Sequence, residues 1–147
     1  MDRRAALWLV FLLVGCERKA PLLEDLNLTH HEDLSRFTLQ SARGLRDGDH
    51  LTVQLRIGKS YSMLTVNLRF VVGAPTHLES GNWEWSSTPG GISQGTVTAR
   101  SVTFLGGQDG PPSIGGTFDL SGPGSLYRLT LPLTVLPRPF RPAASSR

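Results

Sequence analysis

The sequence predicts an all-β fold: an antiparallel β-sandwich of about seven to eight strands, with a small barrel as the alternative. Three observations lead there. From Leu34 onward, apolar residues recur at every second position in one segment after another, the period of a strand with one buried face. The 16 glycines and 10 prolines break the chain too often for a long helical bundle. Turn-forming clusters separate the alternating runs at the spacing of a sandwich or barrel.

The elements follow in order. Phe37 and Leu39 alternate with Thr38 and Gln40. Leu51, Val53, Leu55 and Ile57 form a second run, and Leu64, Val66, Leu68, Phe70 and Val72 a third. Asp47-Gly48 between the first two runs reads as a two-residue hairpin turn. Trp83 and Trp85 flank Glu84 in a fourth segment. In Thr96 to Leu105 the phase changes: Val97 and Ala99 lie on one face, Val102 and Phe104 on the other. One extra residue near Arg100-Ser101 restores register, so a β-bulge is expected there. Ile114, Phe118 and Leu120 share a face with Gly116, and Tyr127, Leu129, Leu131, Leu133 and Val135 share the face of the last strand. Pro89-Gly90-Gly91 and Gly106 to Pro112 read as longer breaks, and Gly122-Pro123-Gly124 as the hairpin before Tyr127. The domain is therefore expected over 34–136, behind a tether at 16–33 with room for one short helical turn. A proline-rich, flexible tail is expected over 137–147.

Composition narrows the function classes. The chain has 147 residues and one cysteine, which excludes a disulfide framework. A net charge of +3 is too balanced for an evident nucleic-acid binder.

The N-terminus carries the most specific signal. Met1 to Cys16 reads MDRRAALWLVFLLVGC: Arg3 and Arg4, then ten apolar residues from Ala5 to Val14. Ten helical residues span about 15 Å, half of a hydrocarbon core of roughly 30 Å, so the segment suits a signal peptide over 1–15 rather than a membrane span. Its end, Leu13-Val14-Gly15-Cys16, resembles the lipobox of bacterial lipoproteins. That resemblance implies cleavage between Gly15 and Cys16, a diacylglycerol on the Cys16 sulfur, and acylation of the new amino terminus. It also implies a cell-envelope location. Glu17 at the next position, where an aspartate is the inner-membrane retention signal, points to the outer membrane of a Gram-negative bacterium. A single acyl chain anchors only marginally, whereas two or three hold a protein at the membrane. Without residues 1–15 the chain has 13 basic and 11 acidic residues, a balance that selects no partner.

Several motifs resemble catalytic or ligand sites and have simpler explanations. Gly91-Ile92-Ser93-Gln94-Gly95 matches a nucleophile elbow, but a strand-like run follows it and His30, His31, His50 and His77 all precede the serine; a glycine-rich turn accounts for it. Gly58-Lys59-Ser60 lacks the upstream glycine of a phosphate loop, where Val53 stands, and the following helix. His30-His31-Glu32-Asp33 are consecutive, so their side chains cannot all converge on one ion, and of Asp47, Asp49 and His50, which could also suggest a cation, turn chemistry explains the first two more simply. No metal site, catalytic residue, small-molecule cofactor or nucleic-acid partner is expected.

Trp83-Glu84-Trp85 places two indoles on one face of a strand. Buried, they fill a core, which is the simpler reading; exposed, they stack on sugar rings or anchor a partner. The expectation is a lipid-anchored, non-catalytic β-domain for structural or protein-interaction work, similar to accessory lipoproteins of envelope machines. Its partners would be the membrane through acylated Cys16 and an envelope protein. The alternative is a carbohydrate-binding module whose candidate glycan-binding residues are Trp83, Trp85 and Tyr61.

Overall fold

The computed structural model describes residues 21–28, 34–59, 61–87, 91–106 and 111–136. It contains eight strands: β1 Leu22–Asp25, β2 Thr38–Asp47, β3 His50–Lys59, β4 Ser62–Val71, β5 His77–Ser87, β6 Gly91–Leu105, β7 Ser113–Gly122 and β8 Ser125–Val135. A single 3₁₀ turn, Leu34–Arg36, precedes β2. All strands belong to one antiparallel sheet in the order β1-β8-β7-β6-β5-β4-β3-β2. The all-β antiparallel expectation holds. Two stacked sheets do not form, because every strand from β2 to β8 pairs with its sequence neighbour and the chain never crosses from one sheet to another. The sheet instead curls into a half-barrel, which fits the barrel alternative.

Contacts across the concave face demonstrate the curl. Phe70 on β4 meets Phe118 on β7 edge-on, with ring centroids 6.2 Å apart. Tyr127 on β8 lies 5.7 Å from Trp83 and 5.0 Å from Trp85, both on β5. These pairs are separated by two intervening strands, so only a strongly bent sheet brings them together. The bend has a local cause in β6. Its first residues, Gly91 to Thr96, pair with β5, and its remainder, Thr96 to Leu105, pairs with β7. The register of the β6–β7 pair shifts between Ala99 and Ser101, which leaves Arg100 as the extra residue, as the phase change in the sequence predicts. A bulge increases local twist and bends its strand.

The alternating runs of β3 and β4 face the concavity: Leu51, Val53, Leu55, Ile57, Leu64, Val66, Leu68 and Phe70 are all buried. Phe37, Phe118, Leu120, Leu129 and Leu131 complete the packed interior. Turn chemistry closes the hairpins. Gly122 pairs with Ser125, so Pro123 and Gly124 form the turn, with Gly124 at φ 68°, a conformation glycine adopts without steric cost. Asp47 pairs with His50, which moves the first turn one residue along, to Gly48-Asp49. Only Gly48 takes a positive φ there, 64°, the pattern of a type II′ hairpin.

Three further expectations change. The domain begins before Leu34: β1 lies in the expected tether, pairs with β8 through Leu22↔Thr130 to Asp25↔Tyr127, and buries Leu23. Leu34 itself starts the 3₁₀ turn rather than a strand. The third change is in β8. Leu131 is buried, but Leu133 and Val135 are exposed, although all three share one strand period. The register of β7 and β8 shifts after Ile114↔Thr134 to Gly116↔Leu131, so Pro132 and Leu133 together oppose Gly115. Pro132 has no N–H to donate, and a bulge accommodates such a residue. The extra residue flips the phase, turning Leu133 and Val135 outward. Leu136 then returns inside, fully buried, with its amide donating to the Pro112 carbonyl at 2.8 Å. Its side chain packs against Gly44 of β2, linking the end of β8 to the edge strand β2. Residues 137–147, the expected tail, lie outside the described residues.

Candidate functional site

Cys16 and Gly15, the candidate lipidation and cleavage positions, lie outside the described residues, as do His30-His31-Glu32-Asp33. The remaining candidates are placed on the sheet. Alternation does put Trp83 and Trp85 on one face of β5, and that face is the concave one. Trp83 is 1% exposed and Trp85 4%. Trp83 Nε1 donates to the Ser121 carbonyl on β7 at 3.1 Å. Trp85 packs on Phe37 at a centroid distance of 5.2 Å and on Tyr127. Neither indole face is open to a sugar ring, so the pair is core and offers no stacking platform. The curl of the sheet is the reason, since it converts one face of every strand into interior. Tyr61 is 75% exposed in the β3–β4 turn and is separated from both indoles by their burial.

The G-x-S-x-G run is neither an elbow nor a turn. Gly91 to Gly95 form the first third of β6, and Gly95 pairs directly with Trp83. A Cβ at Gly95 would collide with the Ser121 carbonyl and approach Trp83 Nε1 to 2.7 Å. Gly122 clears the other side, since a Cβ there would stand 2.9 Å from the Trp83 ring. The glycines let the largest side chain of the core reach across β6.

Polar side chains gather on the convex face. Asp119 on β7 accepts from Arg100 Nε at 2.8 Å and from Arg128 Nε at 2.9 Å. Partial burial works to raise the Asp119 pKa, but the hydrogen bonds and charges of the two guanidiniums outweigh it and hold the carboxyl below its ordinary value. Arg100 reaches Asp119 because it is the bulge residue, freed from the ladder. A second pair is built the same way. The β4–β5 register shifts between Arg69↔Ser80 and Phe70↔Leu78, leaving Glu79 as the extra residue, and Arg69 Nε donates to Glu79 Oε1 at 2.8 Å. His50 stands 3.5 Å from the other Glu79 oxygen and 3.2 Å from Asp49. The Arg69 hydrogen bond holds the Glu79 pKa below its usual value, against a smaller desolvation effect and with a further contribution from His50.

Beside the Arg69–Glu79 pair, Gln54 donates to Asn67 and Asn67 to Asn82, at 3.2 and 3.1 Å, a cross-strand amide ladder over β3, β4 and β5. A shallow, open depression of about 170 Å³ lies beside it, where β5 leaves β6, lined by Thr52, Asn67, Leu68, Arg69, Ser80, Gly81 and Asn82. Asp119 joins Arg100 and Arg128 across β6, β7 and β8, and Glu79 joins Arg69 across β4 and β5. Among the described residues, no three His, Cys, Asp or Glu side chains converge as a metal site would need. The arrangement is that of a polar outer wall stitched by cross-strand pairs. Sequence periodicity could not find these pairs, because cross-strand partners nine to twenty-nine residues apart meet only once register is set.

Comparison with protein-family models, curated proteins and solved structures finds no match.

Proposed function

We propose that this protein is a membrane-anchored envelope lipoprotein whose β-domain performs structural or protein-interaction work without catalysis. The observation that carries this reading is the sequence Leu13-Val14-Gly15-Cys16 behind Arg3, Arg4 and a ten-residue apolar run, which is similar to the lipoprotein signal. The packed concave face supports it: the barrel interior is filled by side chains such as Trp83, Phe70 and Phe118, so recognition falls to the outer surface and the rims. In this reading, processing removes residues 1–15, and acyl chains on Cys16 hold the domain at the outer membrane.

Replacing Cys16 with serine tests the anchor. Wild type is expected in the washed membrane fraction, with an N-terminal peptide that carries the mass of diacylglycerol and a third acyl chain on Cys16. The Cys16→Ser protein is expected in the soluble fraction of the envelope. Equal membrane retention of both proteins would overturn the reading. No observation favours the carbohydrate-binding alternative now that Trp83 and Trp85 are interior.

A further inference from the structure

The phase flip at Pro132 creates a feature that the core does not use. Leu133 and Val135 point outward from the end of β8, 48% and 58% exposed. Ser113 on β7 pairs with Val135 on one side and Leu105 on the other. Leu105, the last residue of β6, is therefore about 10 Å from Val135 across two strand spacings, and it too is largely exposed. Leu22, also turned outward, pairs with Thr130 on the same strand, β8. Leu22, Leu133, Val135 and Leu105 thus form an apolar stripe on the half-barrel's outer surface, from Leu22 beside the middle of β8 to Leu133, Val135 and Leu105 at one rim. Scattered exposed apolar residues are ordinary, whereas a contiguous group of them marks a contact surface.

The register of β1 decides what this stripe meets. β1 runs antiparallel to β8, so the chain that leads into Leu22 comes from the side where β8 continues through Pro132 to Val135. Cys16 precedes Leu22 by six residues, a reach of at most about 20 Å. The distance from Thr130 to Val135 along β8 is roughly 17 Å in that same direction. That reach lets an acyl group on Cys16, and the bilayer that holds it, meet the stripe. Residues 137–147, which follow the stripe in sequence, contain Arg138, Arg141 and Arg147 and no acidic residue, a charge balance suited to anionic lipid headgroups.

We propose that Leu22, Leu133, Val135 and Leu105 form a membrane-docking face that seats the domain on the phospholipid surface beside its own anchor. This rests on the reading of Cys16 as the lipidated residue. Docking fixes the orientation of the domain. The rim with the β2–β3, β4–β5 and β6–β7 turns lies at the bilayer, and the rim with Tyr61 and the Gly122-Pro123-Gly124 turn is presented away from it.

Site-specific photo-cross-linking tests the face. Benzoylphenylalanine is placed at Leu133, Val135 or, as the opposite-rim control, Tyr61, in lipidated protein reconstituted into phosphatidylethanolamine–phosphatidylglycerol vesicles. Lipid adducts are expected at 133 and 135, with background yield at 61. Equal yields at all three positions, or protein adducts instead of lipid at 133 and 135, would overturn the proposal. Failure of the anchor reading is seen separately. If cells leave Cys16 unacylated, its thiol is free, and coupling that thiol to a maleimide phospholipid supplies the same tether. The cross-linking pattern then decides the docking face by itself.

Discussion

Trp83 and Gly95 face each other across β5 and β6, and the indole passes over the glycine to hydrogen-bond with Ser121 one strand further on. The largest buried side chain of the core thus depends on the smallest residue beside it.

A methyl group at position 95 has nowhere to go, since it would strike the Ser121 carbonyl and crowd Trp83 Nε1. Gly95→Ala is expected to destabilise the domain by about 1–3 kcal/mol, the usual cost of overpacking a fitted site. Trp83→Ala should cost more, about 3–5 kcal/mol, by opening a cavity. Tyr61→Ala, at an exposed turn, should stay within about 0.5 kcal/mol of wild type. Denaturant unfolding curves for the three variants check the order; a Tyr61 variant less stable than the Trp83 variant would contradict the assignment of the indoles to the core.

Leu131 and Leu133 have the same type of side chain two residues apart on β8, yet the bulge at Pro132 gives them opposite environments. Leu131→Ala is expected to lose about 2–5 kcal/mol, and Leu133→Ala less than about 0.5 kcal/mol. Thermal melts of the two variants read this directly. Equal losses would mean that β8 keeps one phase throughout and that the outer stripe does not exist.

Asp119 links stability to pH. Its folded pKa lies below the ordinary aspartate value of 3.8 because Arg128 and Arg100 outweigh its desolvation. The ionised carboxylate is thus favoured in the folded state. Its contribution is fully present above the unfolded value and is lost as pH falls through the folded one. Asp119→Asn is expected to cost about 1–2 kcal/mol near neutral pH. The gap between wild type and variant should close as pH drops below about 4. Urea titrations of both proteins from pH 7 to pH 3 measure it; a gap independent of pH would assign the loss to packing rather than to charge.

How much of this protein is legible without its structure differs element by element. β3 and β4 can be read from Leu51 to Phe70 because strict alternation has only one strand-like solution with a single buried face. The bulge at Arg100 can be read because a phase change in β6 leaves Val97 and Val102 facing the same interior only if one residue is extra. β1 cannot be read: its four residues have no period of their own and become a strand only by pairing with β8. The flip at Pro132 is hidden for the opposite reason, since Tyr127 to Val135 keeps an unbroken alternation that the register with β7 interrupts.

The candidate site divides in the same way. Residue types near the N-terminus carry the resemblance to a lipobox locally, so the proposal for Cys16 rests on the chain alone, and the all-β class and the Gly122-Pro123-Gly124 turn are legible there too. Local rules of period and turn chemistry act over a few residues, and sequence by itself determines whatever depends on them. Only the tertiary structure decides whether an alternating strand turns its apolar face into a core or outward, and which distant groups meet. That is why the indoles of Trp83 and Trp85 prove to be interior, why Arg100 finds Asp119, and why Leu22, Leu133, Val135 and Leu105 are all turned outward. Each outcome depends on register and curl across several strands, and neither is a property of any one segment.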